Sequence, residues 1–264
     1  MSYAFGGHSD VGYKRELNED HIAVSALDDD TVLAIIADGA GSKASTLQPA
    51  QIAAGIVADA IQRSYAKNRK AVLSVPDIFL LEAMHAANRC LGAFKIANEE
   101  LYAGFASSMS CVLLTKDTSG DYPRSAIAFA HIGNTRLYLI RVTQDGVPSI
   151  RQLTKDQTEA QKLVDDHLID SVQYHVHPDR LVITGALGFV TEPQIQTFRG
   201  YIRADDYLLL TTDGIHYAIQ PTPMMQIVLA STSCEDACRN LTRTSVAQEY
   251  NDNCSSILIH ALPD

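Results

Sequence analysis

The sequence is short of several things, and each shortage removes a class of protein. It has no run of lysine and arginine and carries a formal net charge of -10, which argues against sequence-independent nucleic-acid binding as its main activity. No apolar stretch approaches the ~18–20 residues that span a bilayer, and the opening MSYAFGGHSDVGYKRE lacks an apolar core of signal-peptide length. Neither a nucleic-acid nor a membrane partner is expected, and a cytoplasmic protein is. Cysteines are few, odd in number and scattered: Cys90, Cys111, Cys234, Cys238 and Cys254 read as reduced thiols. Cys234 and Cys238 lie one helical turn apart, but no second pair completes a zinc site, so they read as buried packing residues. Internal repeats, low-complexity tracts and a Pro/Gly/Ser linker are also missing, and one domain over 1–264 is expected. What is present is 46% hydrophobic and 20% charged, enough to build a sizeable core.

Periodicity sets out the elements. TVLAIIAD (31–38) is a β-branched apolar run closed by Asp-Gly, the pattern of a buried strand and a turn. Over 49–66, Ile52, Ile56, Ala60 and Ile61 follow helical spacing. Pro76 is placed to open a second helix with Ile78, Leu81, Met84 and Leu91 on its buried side. SSMSCVLLT, SAIAFAHI and RLYLIRV are three strand-like runs, joined through DTSGDYPR and GNT. Residues 156–170 read as a polar helix, and 171–179 as an extended loop with His175 and His177 on one side. A strand at 207–214, helices near 223–230 and 235–248, and a closing strand follow. Strands in consecutive runs with helices grouped between them indicate an α+β class with mainly antiparallel sheets.

Carboxylates gather at the ends of these runs. Asp38 ends LAIIAD, Asp213 ends LLLTTD, Asp252 precedes the last strand, and Glu19-Asp20 precede HIAVSAL. Each alone is an ordinary turn former. Together, acids from distant parts of the chain can converge on one edge of a sheet stack as a hard, all-oxygen donor set that suits Mg2+ or Mn2+. Gly39 to Ala44 also imitates the G-x-G-x-x-A turn of a dinucleotide site, with Asp59 about 20 residues on. Asp59 lies inside a helical pattern, however, and no parallel strand follows, so nucleotide binding is set aside. Asp28-Asp29-Asp30 is expected to be a solvated turn, and Cys111 a core residue.

Seven motifs occur in a fixed order: R-x-x-N-E-D at 15–20, A-D-G-x-G at 37–41, H-I-G-N-T-R-L-Y at 131–138, L-T-K-D at 153–156, A-L-G at 186–188, L-L-L-T-T-D-G at 208–214 and N-D-N at 251–253. Over nearly the whole chain this resembles the metal-dependent serine/threonine protein phosphatases, the type 2C family. The resemblance implies a four-layer α-β-β-α sandwich of two packed antiparallel sheets flanked by helices, with a two-metal site at one end. It implies hydrolysis of phosphoserine and phosphothreonine by direct attack of a hydroxide bridging two Mg2+ or Mn2+ ions. In that reading Asp38 bridges both ions, Glu19 and the Gly39 carbonyl join it on one, and Asp213 and Asp252 hold the other. Asp20 is a further ligand or orients metal-bound water, and Arg15 grips the substrate phosphate. Partners would then be phosphorylated proteins, with the enzyme opposing a serine/threonine kinase. The compact length resembles bacterial members, and a monomer is expected.

The sequence also departs from that pattern. Asn134 stands where many members carry an Asp that ligates a third ion, and a neutral amide should hold such an ion more weakly. Asn after Gly133 equally suits a hairpin turn. Ala40 stands where some members have a His considered a general acid, and Ala106-Ser107-Ser108 where Gly-Thr-Thr is usual. Gly185 replaces a common Arg, and His216-Tyr217 replaces a Leu and a later acid. These changes motivate an alternative, a pseudophosphatase that binds phosphoprotein or a partner without turnover. A phosphoesterase acting on nucleotides or nucleic acid is disfavoured by the acidic charge. Residues 156–183 correspond to the family's variable flap, where substrate choice is expected to reside.

Overall fold

In the computed structural model, which describes residues 2–41, 47–117 and 124–263, the apolar runs become strands of two sheets. The strands are β1 (Ser2–Asp10), β2 (Asp20–Asp28), β3 (Thr31–Ala40), β4 (Ala106–Asp117), β5 (Arg124–Ile132), β6 (Arg136–Val142), β7 (Pro148–Gln152), β8 (Gln196–Arg203), β9 (Tyr207–Thr211) and β10 (Cys254–Leu262). The helices are α1 (Pro49–Lys67), α2 (Arg69–Ser74), α3 (Pro76–Ala97), α4 (Glu99–Tyr102), α5 (Glu159–Asp165), α6 (Ser171–Val176), α7 (Asp213–His216), α8 (Pro221–Ala230) and α9 (Cys234–Ala247). One sheet runs β1-β10-β9-β6-β7 and the other β2-β3-β4-β5-β8, with neighbours antiparallel throughout.

Alternation along single strands builds the layers. In β3, Leu33, Ile35 and Ala37 face α1 and α3, while Val32, Ala34 and Ile36 face the other sheet. Burial on both faces explains why this antiparallel strand reads as an unbroken apolar run. In β10, Ile257, Ile259 and Ala261 meet the inter-sheet core, and Cys254 and Leu258 meet α8 and α9. The result is the expected α+β sandwich of four layers, helix, sheet, sheet, helix. Cys111, Cys234 and Cys238 are buried packing residues, and the last two lie against the backbone of β1 through Ala4 and Gly6. Among the described residues no helix is long and apolar enough to cross a membrane.

Several local expectations are corrected. The buried stripe of α3 is Leu80, Ala83, Met84, Ala87, Asn88 and Leu91, whereas Ile78 is 49% exposed and Leu81 only partly buried. The polar helix expected over 156–170 shortens to α5. The extended loop at 171–179 is instead α6 followed by a 3-10 turn (Pro178–Leu181). A capping box makes that helix: the Asp170 carboxylate accepts from the Val172 and Gln173 amides, and Gln173 returns a bond to the Asp170 N–H. Asp28 is more than a solvated turn charge, because it accepts from Tyr65 of α1 and Arg69 of α2. Strands β1, β7 and β8 were not foreseen. The connection at 118–123 and residues 42–44 of the G-x-G-x-x-A match lie outside the described residues.

Candidate metal centre

The acids reach one end of the sandwich from both sheets. Strands β2 and β3 pair with Asp20 directly opposite Asp38. Asp213 opens the single turn α7 just after β9, and Asp252 sits just ahead of β10. The Gly39 N–H donates to the Glu19 carbonyl at 3.1 Å, fixing Glu19 beside the same hairpin. A Cβ at position 39 would lie 2.7 Å from that oxygen, so glycine is required for this approach.

Neutral groups and one cation hold these side chains. Asn253 accepts the Glu19 N–H at 2.9 Å and donates to the carbonyls of Val11 and Leu17 at 2.8 and 2.9 Å, pinning the loop that carries Arg15. The exposed Arg15 guanidinium pairs with the Asp252 carboxylate at 2.9 Å and reaches the Asn251 carbonyl at 3.4 Å. Buried Asp20 accepts from Thr212 Oγ1 at 2.8 Å and Ser255 Oγ at 2.7 Å, both supplied from the other sheet's side. Buried Asp213 accepts from Asn134 Nδ2 at 3.1 Å. Burial pushes the Asp20 carboxyl up to about 7; the negative charge of Asp252 adds to this, and the Ser255 and Thr212 hydroxyls oppose it. Burial and the charges of Asp252 and Asp20 push Asp213 up to about 8, against the Asn134 bond and Arg15. Asp38 rises well above the carboxylate range through burial and then the charges of Asp213, Asp20, Asp252 and Glu19.

Acids that raise one another in this way store repulsion that a divalent cation reverses. Their all-oxygen donor set fits Mg2+ or Mn2+. As the side chains stand, no three His, Cys, Asp or Glu among the described residues are grouped to enclose an ion. A cleft of about 200 Å3 shares the Asp38–Gly39 wall and is lined by Ala106, Ser107, Ile183, Ala186, Phe189 and Lys95. Larger clefts lie elsewhere, but none of them includes these acids.

The 156–183 segment is fastened beside the acids. Arg136 and Asp156, both buried, form an ion pair at 2.7 Å, and the Tyr174 hydroxyl of α6 donates to Asp156 at 2.6 Å. Tyr217, just after α7, donates to the Arg180 carbonyl at 2.9 Å. His175 packs edge-on against Tyr174, and His177 Nδ1 accepts the Asp179 N–H at 3.2 Å. A helix thus replaces the extended loop in which the two histidines would alternate. The anchoring roles of Asn253, Thr212, Ser255, Ser108 and Asp156 escaped sequence reasoning. The N-D-N, L-L-L-T-T-D-G and L-T-K-D motifs contain three of them, Asn253, Thr212 and Asp156, without showing what they hold.

A family model described as Protein phosphatase 2C matches residues 12–249. The serine/threonine phosphatase stp of Listeria welshimeri is 23% identical over 253 residues, 95% of this chain and 93% of that protein. The crystal structure of the serine/threonine phosphatase Stp1 from Staphylococcus aureus superposes with a TM-score of 0.81 at 22% identity, covering 100% of this chain and 96% of that one. The catalytic domain of the serine/threonine protein phosphatase PstP, solved in complex with 2 manganese ions, gives a TM-score of 0.74 at 24% identity over 99% of each chain.

Proposed function

The chain belongs to the protein phosphatase 2C family, and from that premise we propose that it is a divalent-metal-dependent phosphatase acting on phosphoserine and phosphothreonine in proteins. What carries this reading is the convergence of Glu19, Asp20, Asp38, Asp213 and Asp252 on one end of the sandwich, with burial and mutual repulsion raising Asp20, Asp38 and Asp213. Manganese held by the PstP relative supports the same assignment. Asp38, Glu19, the Gly39 carbonyl, Asp213 and Asp252 would hold a pair of Mg2+ or Mn2+ ions, with Asp20 a further ligand or an acceptor for water. When bound, that pair supplies an activated water nucleophile and neutralises charge on the phosphoryl oxygens.

The chain's own residues do the rest. Arg15, on a loop pinned by Asn253, is exposed and presents a planar fork of donors. It exchanges Asp252 for the substrate phosphate and so orients phosphorus toward the acids. Asp20 has its Oδ2 held by both Thr212 and Ser255, which fixes the carboxylate as charge develops. Ala40 offers no proton, which leaves protonation of the departing alkoxide to water. The flap at 156–183 borders the cleft through Ile183 and selects among phosphoproteins produced by a serine/threonine kinase. A single domain acting as a cytoplasmic monomer belongs to the same reading.

The test is hydrolysis of a phosphothreonine peptide by metal-stripped protein with Mn2+ restored, and its loss in EDTA. Full activity in excess chelator would sink the reading. Mn2+ binding without turnover of any phosphopeptide would leave the non-catalytic alternative.

A further inference from the structure

Two of the sequence's departures, Ser108 and Asn134, meet in the fold. Ser108 lies opposite Asp38 in the β3–β4 ladder, and its hydroxyl donates to Asn134 Oδ1 at 2.9 Å. Asn134 Nδ2 in turn donates to Asp213 Oδ2 at 3.1 Å. The three side chains are buried, with residue exposures of 2%, 1% and 9%. The relay therefore starts beside a carboxylate of one sheet and ends on a carboxylate that follows β9 of the other.

The chemistry fixes its direction. An ionised Asp213 only accepts, and the amide accordingly turns its NH2 to Asp213 and its oxygen to the Ser108 hydroxyl. The carbonyl oxygen that a ligand role would need is directed at Ser108 instead. The backbone is shaped for this contact. Gly133 has φ +94°, and a Cβ there would lie 2.2 Å from Ser108 Oγ. The Gly133 carbonyl accepts the Gln157 N–H at 2.7 Å, and its own N–H donates to Gln157 Oε1 at 3.1 Å, which locks the turn against the start of the flap.

We infer that Ser108 and Asn134 are positioning residues: the relay ties one oxygen of Asp213 to a neutral donor and leaves the other for an ion. Neutrality matters because an acid in place of Asn134 would face the Asp213 carboxylate as a like charge at hydrogen-bond distance. The inference rests on the reading of Asp213 as a metal ligand.

Calorimetric titration of Mn2+ into metal-stripped wild type, Asn134→Ala, Ser108→Ala and the double variant tests it, with far-UV circular dichroism reporting the fold. Asn134→Ala should weaken Mn2+ binding roughly 10–100-fold, the usual loss when a ligand's outer partner is removed. Ser108→Ala should weaken it about fivefold, the effect of one neutral hydrogen bond. It should add nothing in the Asn134→Ala background, because the hydroxyl acts only through the amide. Wild-type affinity in Asn134→Ala, or losses that add in the double variant, would overturn the relay. If Asn134→Ala fails to fold, Ser108→Ala decides alone, and unchanged affinity there overturns it. Wild type that turns over phosphopeptide with Mn2+ while the variants bind normally would remove the relay and leave the phosphatase reading standing. Wild type that binds no Mn2+ would remove both.

Discussion

Asp213→Asn should move stability in opposite directions with and without metal. Asp213 sits at about 8 in the metal-free fold, against ~3.9 for an aspartate in an unfolded chain. A raised carboxyl favours the fold fully below ~3.9, and that contribution is lost as pH rises through about 8. At pH 7 the loss amounts to about three pH units, or roughly 4 kcal/mol. Asparagine never ionises, so the loss disappears, offset by roughly 2 kcal/mol for burying an amide in its place. The net is about 2 kcal/mol, a rise of about 5 °C in the melting temperature for a chain of this size. With Mn2+ at 100 times its dissociation constant, wild type should gain about 2.7 kcal/mol and the variant little. Melting curves in EDTA and in MnCl2 at pH 7 should therefore cross: the variant melts higher in EDTA and lower in Mn2+. Its advantage should also shrink toward pH 5. A variant that melts lower in EDTA at pH 8 and gains as much from Mn2+ as wild type would refute the repulsion on which the metal centre is argued.

Arg15→Ala should raise KM for a phosphothreonine peptide roughly 10–100-fold, the value of a charge-assisted bond to phosphate; steady-state kinetics showing an unchanged kcat/KM would remove Arg15 from substrate binding. Asp156→Ala leaves the Arg136 guanidinium buried without its partner. It should cost about 3–5 kcal/mol in urea melts and open residues 156–183 to trypsin; wild-type resistance would argue against the anchor. Burial pushes His131 down to about 4. Its stabilising share is therefore present above ~6.5 and lost as pH falls through about 4, about 3 kcal/mol in all. His131→Gln should flatten urea stability over that window, and an unchanged acid slope would contradict it.

The central strands were legible because burial on two faces leaves an apolar run, as in β3. Edge strands were not. Strand β1, SYAFGGHSD, carries few apolar residues and is defined by its partner β10, which is distant in sequence. The stripe of α3 slipped by one position, Leu81 for Leu80, because several apolar residues compete for one face near the helix start. Two histidines spaced by one residue suggested an extended loop at 171–179, yet Asp170 and Gln173 already spelled a capping box. At the site, the acids stood out because each borders an apolar run: Asp38 and Asp213 end one, and Glu19, Asp20 and Asp252 precede one. Their holders were not. Ser108, Thr212 and Ser255 look like any strand or turn hydroxyl until the second sheet brings an acceptor within reach.

Strand β10 lies between β1 and β9, and its pairing with β1 runs from Ser2 opposite Leu262 to Asp10 opposite Cys254. Pairings between such distant parts of a chain close very long loops and form slowly. Asp252 sits just ahead of this strand, Asn253 pins the Arg15 loop, and Ser255 within the strand holds Asp20. Without β10 and the turn ahead of it, Asp20 keeps Thr212 but loses Ser255, and the Glu19 N–H loses Asn253. Removing 254–262 would take away at once the Ser255 donor to Asp20 and the strand that joins β1 to β9, so one strand ties the edge of its own sheet to an acid of the other.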